Sequence, residues 1–228
     1  MAIPGRRFEI ILLAASCVAL EPLSRSVAGQ ARAELPRDST RSILIHPVVR
    51  QHFVCLEHPA GQLSYVGDAL GSDCLIIDLG SGPDRRFPSF HKGTGARNAD
   101  WFGWNQVVLA PFDGIVDSVH TNERVNVPGT QGRQRAGGIV FLRADGTRVL
   151  YAHVHGIAVR PGDSVRAGQP VARVGNNGPS VMPHTHVGAW MGKEPLQIRF
   201  DLRAAATLSR LLESVPDSPL KVIHPDIR

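Results

Sequence analysis

Glycine and proline interrupt this chain so often that long helices are excluded over most of its length. The 228 residues include 23 Gly and 17 Pro, and few stretches of ten residues lack both. These two residues break helices but suit the turns between short strands. Short apolar runs separated by turn signals continue from residue 75 onward, for example at 107–110, 139–142 and 171–174. The pattern predicts a mainly β protein.

The first 33 residues have the layout of a secretory signal. Arg6 and Arg7 precede an apolar stretch over residues 10–20, and small residues follow near 26–33. This order predicts an exported protein, either periplasmic or secreted. Cys17 leaves a lipid anchor as the less favoured alternative, because its surroundings only faintly resemble a lipoprotein cleavage box. No later segment has the roughly 18 apolar residues that a membrane helix needs, so we expect no membrane span.

The rest of the chain divides into three parts. Residues 34–65 form a leading segment with one apolar patch, which we interpret as an edge strand plus loops. Residues 66–200 carry the short strands and form the β domain, and residues 201–228 form a tail that starts with a short helix over 202–213. Two long polar connections, at 80–105 and 121–138, interrupt the strands. Loops of this length are usually functional, and we expect them to form the walls of a groove.

The charge of the chain narrows the range of its partners. There are 25 Lys and Arg against 20 Asp and Glu, which gives a formal charge of +5, and no run of five like charges occurs. Such a balance gives a mild attraction to anionic polymers without the concentrated basic patch of a nucleic-acid-binding surface. We expect no nucleic-acid partner, and we expect a monomer.

Four of the ten histidines fall in two strand-like clusters, His153 with His155 and His184 with His186. Residues two apart in a β-strand point to the same face, so each cluster sets two imidazoles side by side. Neutral imidazole is a common zinc ligand, and a catalytic zinc needs about three protein ligands and one open position. Two such pairs in one domain indicate a metal site.

Longer motifs accompany these histidines. They are YAH at 151–153, PGDSVRAGQPV at 161–171, GNNGPS at 175–180 and PHTH at 183–186. Together with APFDGIV at 110–116, they resemble the lysostaphin-type, LytM-like zinc metallopeptidases over roughly residues 66–191. The resemblance implies a compact antiparallel β-sheet or sandwich domain with a groove. It also implies one zinc ion and a substrate drawn from the peptides of bacterial peptidoglycan.

The resemblance also implies roles for particular residues. In the family, zinc is held by the His and Asp of an H-x-x-x-D motif and by the second His of H-x-H, which makes His186 a ligand. The first His of H-x-H and the His of the Y-x-H strand are catalytic, which implies His184 and His153. His155 has no family role.

Three side chains are candidates for lining the substrate groove. These are His155, Trp101 and Trp104. Aromatic side chains can stack on a ligand, although clustered aromatics also anchor long loops to a core.

The H-x-x-x-D motif is altered in this chain. In its place we find CLIID at 74–78, so Asp78 is the expected aspartate ligand and Cys74 replaces the histidine. A Cys74 thiolate would complete a three-ligand site with Asp78 and His186. Cys74 is also the only partner for Cys55 once the signal is removed, and we favour a disulfide between them in an oxidising compartment.

The two states of Cys74 exclude each other, since a sulfur in a disulfide offers no thiolate. If the disulfide forms, Asp78 and His186 need help from other side chains, and His184, His155 and Asp73 are the candidates.

Two functions remain open at this point. The first is an exported zinc-dependent metalloendopeptidase that acts on cell-wall peptides. The second is a catalytically inactive member of the family that binds cell-wall peptide or regulates a cell-wall hydrolase. The replacement of a ligand by Cys74 motivates the second function.

Overall fold

Short strands dominate the fold, as the glycine and proline pattern predicts. The computed structural model describes residues 40–59, 61–80 and 87–214, which contain thirteen strands and one α-helix. The predicted signal at 1–33, with Cys17, lies outside the described residues. The elements are β1 (Ser42–Ile45), β2 (Phe53–Glu57), β3 (Ser72–Ile76), a 3₁₀ turn (Asn98–Asp100), β4 (Val107–Leu109), β5 (Gly114–His120), β6 (Gly138–Leu142), β7 (Thr147–Ala152), β8 (Val154–His155), β9 (Ser164–Val165), β10 (Pro170–Val174), β11 (Thr185–Met191), β12 (Glu194–Pro195), β13 (Gln197–Phe200) and α1 (Leu202–Glu213).

Most strands belong to one antiparallel sheet. Its order is β2-β3-β11-β7-β6-β5-β9, and β12 pairs with β11 beside this path. The strand β11 lies between β3 and β7, and its residues are buried from Thr185 to Trp190. A strand covered on both faces normally carries apolar residues throughout. His186 is an exception, because it is a polar side chain buried on this strand.

A second antiparallel sheet, in the order β4-β10-β8, shares the hydrophobic core with the first. The core side chains that are less than 2% exposed include Val108, Val171, Phe141, Val149 and Tyr151. Burying a side chain of this size contributes about 1.5–3 kcal/mol relative to leaving it exposed. The expected fold class is therefore confirmed: a mainly β protein with antiparallel sheets.

The leading segment takes part in the β fold. The strand β1 covers the apolar patch near residue 44 and pairs in parallel with β13. The strand β2 pairs antiparallel with β3 at the edge of the main sheet. Cys55 and Cys74 lie directly opposite each other in this pair and form a disulfide. Residues 34–65 therefore supply two strands to the domain.

The tail matches the prediction, and a tight turn joins two central strands. The helix α1 spans the predicted range 202–213, and the Asp201 side chain caps it by accepting a hydrogen bond from the Arg203 N–H. Gly146 takes a φ of +87° in the turn that joins β6 to β7, a conformation open to a residue without a Cβ. No helix in the described part of the chain is long and apolar enough to cross a membrane.

Candidate metal and catalytic site

The pairing of β3 with β11 brings a carboxylate against the H-x-H motif. His186 lies opposite Asp73 in this pair, and its Nδ1 is 2.9 Å from Asp73 Oδ1. His186 is 5% exposed. Neither residue is near the other in sequence, so the register of the two strands creates the contact.

His58 joins this pair from the neighbouring strand. It follows the last residue of β2, and its Nε2 is 3.3 Å from Asp73 Oδ1. One ligand atom each from His58, Asp73 and His186 lies within 4.8 Å of the others. Two imidazoles and one carboxylate are a donor set that suits zinc.

His184 adds a buried nitrogen to the same place. Its Nε2 is 3.3 Å from Asp73 Oδ1. Its other ring nitrogen, Nδ1, is 2.8 Å from the Met182 carbonyl oxygen. His184 therefore places a buried imidazole nitrogen beside the Asp73 carboxylate, where it can contact a substrate group.

The charges in this cluster shift the pKa values of its members. Burial alone would raise the pKa of Asp73, but the adjacent imidazoles of His184 and His186 outweigh burial and lower it well below its ordinary range. Burial lowers the pKa of His186, while Asp68 and Asp73 together raise it to about 9. The Asp73 carboxylate is therefore ionised and available as a ligand at neutral pH.

His153 faces the cluster from the end of β7. Its ring centroid is 4.6 Å from that of His184 and 6.2 Å from that of His186. Burial and then the nearby His184 lower the pKa of His153 to about 3, so the ring is neutral at pH 7. The Asn177 carbonyl oxygen lies 2.8 Å from His153 Nδ1 and must accept its proton, which leaves Nε2 as an acceptor.

The backbone of His153 has a φ of +60°, in the left-handed region that non-glycine residues rarely adopt. Asn177 holds this bend in place. Its side chain donates to the Val154 carbonyl oxygen and accepts from the Gly137 N–H. Strained backbone of this kind persists where the surrounding structure fixes it, and it is often found at functional sites.

These side chains lie in a groove of about 700 Å³. It is lined by His58, Asp68, Asp73, His153, His184 and His186 on one side, and by Gln131, Arg133, Gln134 and Arg135 from the long connection at 121–138. The expectation that this connection forms a groove wall is therefore met. Among the described residues, the long connection at 80–105 does not line the groove.

The altered motif, CLIID at 74–78, adds no side chain to the group of His58, Asp73 and His186. Cys74 is bonded to Cys55, so it offers no thiolate in this structure, which corrects the alternative of a Cys74 ligand. Asp78 lies after β3, where its Oδ1 accepts a hydrogen bond from the Gly80 N–H and its backbone pairs with Ser89. Asp78 is not in the group of three metal-capable side chains found among the described residues.

The three candidates for the groove lie outside its lining. The Trp104 ring stacks on the His155 ring with centroids 5.2 Å apart. Trp101 packs against His91 and donates to the Gly95 carbonyl oxygen. These contacts match the alternative in which clustered aromatics anchor a long loop.

Sequence reasoning missed two residues of the cluster. The sequence motifs do not single out His58 or Asp68, and they offer Asp73 only as a helper. The local cue to Asp73 is its place directly before the apolar run at 74–77, opposite Asp78 at the other end of that run. No local signal marks His58, since only strand pairing brings it to Asp73.

One protein-family model matches part of the chain. The model of peptidase family M23 matches residues 89–198, which include His153, His184 and His186. No curated protein matches the chain significantly.

Several solved structures resemble the chain. The catalytic domain of the prophage-encoded M23 protein EnpA from Enterococcus faecalis, solved as a point mutant, is 20% identical, covers 64% of this chain and 92% of its own, and has a TM-score of 0.41. A zinc-containing peptidase from Vibrio cholerae is 18% identical, with coverage of 69% and 39% and a TM-score of 0.41. The catalytic domain of lysostaphin from Staphylococcus simulans is 18% identical, with coverage of 64% and 88% and a TM-score of 0.39.

Proposed function

We propose that the chain is a member of peptidase family M23 and that it is an exported zinc-dependent endopeptidase that cleaves peptides of the bacterial cell wall. One observation carries the proposal: His58, Asp73 and His186 converge in a groove that also contains His153 and His184. The groove thus combines a metal donor set with two further imidazoles, and zinc peptidase chemistry needs both.

The proposed metal ligands are His58, Asp73 and His186. The fit to zinc rests on the donor set and on the Asp73 carboxylate, whose Oδ1 lies within 3.3 Å of nitrogens from His58, His184 and His186. When bound, zinc supplies Lewis-acid polarisation of the scissile carbonyl. His58 would supply the imidazole that the altered motif lacks.

The proposed catalytic residues are His153 and His184. Each has its Nδ1 beside a backbone carbonyl oxygen, from Asn177 and Met182 respectively. Because a carbonyl only accepts, each neutral ring carries its proton on Nδ1 and can take a second proton at Nε2. The low pKa of His153 keeps the ring neutral at pH 7 and leaves its Nε2 lone pair free as an acceptor. Once protonated, either ring can donate to the oxyanion or to the leaving amine.

The second candidate is a family member that binds wall peptide or regulates a hydrolase without cleaving. It is favoured by one observation: Cys74 stands where the motif histidine is expected, and it is bonded to Cys55. The two candidates share the fold and differ in whether the groove hydrolyses a peptide bond.

The test is hydrolysis by the disulfide-bonded protein, stripped of metal with a chelator and reloaded with zinc. Release of new amino groups from purified peptidoglycan should require zinc and should fall at least about 100-fold in His184→Ala, the size expected for loss of a general acid–base residue. Asp73→Asn should lose zinc while Asp78→Asn keeps it. His52→Ala serves as a control, because this histidine lies outside the groove lining.

Each result separates the candidates. Zinc binding without hydrolysis would favour the binding or regulatory candidate. Loss of zinc in Asp78→Asn but not in Asp73→Asn would refute the ligand set proposed here.

A further inference from the structure

We propose that Asp68 is a positioning residue, whose carboxylate holds the His186 ring in the orientation that binds metal. The inference rests on the metal site of the proposed function and adds a residue that is not part of its motifs. Asp68 acts through His186, because it contacts the edge of the ring opposite Asp73.

The His186 ring lies between two carboxylates. Its Nδ1 is 2.9 Å from Asp73 Oδ1 on the side of the proposed ligands, and its Nε2 is 3.1 Å from Asp68 Oδ1 on the other side. The His186 side chain is 7% exposed and that of Asp68 is 27% exposed. Both ring nitrogens therefore have defined partners, and rotation of the ring would break both contacts.

The turn that carries Asp68 is built to reach His186. The Asp68 N–H donates to the Tyr65 carbonyl oxygen at 2.9 Å, and the Asp68 carbonyl oxygen accepts from the Gly71 N–H at 2.8 Å. A Cβ on Gly71 would lie 2.7 Å from His186 Cε1, which is too close for any other residue type without a shift. A glycine is therefore needed where the turn passes the ring.

The same turn also packs closely against β11 at a second place. A Cβ on Gly188 would overlap the carbonyl oxygen of Gly67, and a Cβ on Gly67 would lie 2.8 Å from the Trp190 ring. Three glycines, at 67, 71 and 188, thus let the backbone of the turn lie directly against β11. This packing brings Asp68 within hydrogen-bond distance of a strand residue that is 118 positions away in sequence.

The chemistry explains why the contact matters. A neutral histidine that offers the Nδ1 lone pair to a metal must carry its proton on Nε2. Ionised Asp68 only accepts, so it fixes that tautomer and increases the basicity of the ring. Removal of such an outer partner typically weakens metal binding by about 10- to 100-fold. His58 has a comparable but longer contact, with Nδ1 at 3.3 Å from Gln62 Oε1.

The experiment measures the zinc affinity of the disulfide-bonded protein by competition with a chromophoric chelator. Asp68→Asn and Asp68→Ala should each bind zinc about 10- to 100-fold more weakly than the wild type. Asp117→Asn, a surface carboxylate paired with Arg148 outside the groove lining, is the matched control and should bind as the wild type. Nitrogen-15 NMR of the zinc-loaded wild type should show His186 protonated at Nε2, and that proton should exchange faster in Asp68→Ala.

The outcomes distinguish this inference from the proposed function. Wild-type affinity and slow exchange in both Asp68 variants would overturn the role of Asp68 and leave the zinc site standing. No zinc binding by the wild type would overturn both. Equal weakening in Asp117→Asn would show a general charge effect and would also overturn the role of Asp68. Circular dichroism of the metal-free variants checks that they fold.

Discussion

The disulfide between Cys55 and Cys74 should contribute a large part of the stability of the metal-free protein. It closes a loop with a sequence separation of 19. The loop-entropy relation gives about 11 cal/mol/K for a loop of that length, or about 3 kcal/mol at 25 °C. Domains of ordinary stability unfold with only about 5–15 kcal/mol, so the loss is readily measurable.

The perturbation is the double replacement Cys55→Ala with Cys74→Ala, because alanine avoids placing a hydroxyl at the buried Cys74 position. Urea denaturation in the presence of a chelator should show a free energy of unfolding lower by about 3 kcal/mol. For a slope of about 2 kcal/mol/M, the midpoint should fall by roughly 1.5 M. Wild-type protein under reductant keeps both sulfur atoms and isolates the effect of the cross-link.

The same bond lies close to two proposed ligands. Cys55 is three residues before His58, and Cys74 directly follows Asp73. If zinc binds the folded protein as proposed, the extra free energy of unfolding that it provides should be smaller in the double variant, because these segments are then held together less well. A loss below about 1 kcal/mol, both in the double variant and in the reduced wild type, would refute the loop-entropy reasoning.

Two further predictions concern the turn at 65–71 and the half-buried His155. Gly188→Ala should lower the free energy of unfolding by about 1–3 kcal/mol and weaken zinc binding, because its Cβ would overlap the Gly67 carbonyl oxygen. Thermal unfolding and chelator competition measure both effects, and an unchanged zinc affinity would contradict the close packing described here. Burial lowers the pKa of His155, so the unfolded chain takes up the proton first as the pH falls below about 6.5. Stability should therefore be lost on acidification through that range, and denaturation at several pH values should show a shallower loss in His155→Gln; equal slopes would contradict it.

Much of the fold could be predicted from sequence because its signals are local. Glycine and proline set the lengths of the strands, and the helix over 202–213 has the predicted bounds. The H-x-H and Y-x-H motifs also located His153, His184 and His186, which the structure brings into one groove. Each of these patterns depends on residues a few positions apart.

The other two proposed ligands could not be predicted in this way. The sequence offered Asp73 and Asp78 at the two ends of one apolar run, and only the pairing of β3 with β11 brings Asp73 opposite His186. The pairing of β2 with β3 brings His58 to the same carboxylate and joins Cys55 to Cys74.

The sequence by itself therefore determined the strand pattern and the histidines that the motifs mark, because these depend on local spacing. Only the tertiary structure decided which carboxylate and which further histidine face His186, because strand register is a property of paired segments distant in sequence. The same holds for Asp68, whose approach to His186 depends on glycines in two different elements.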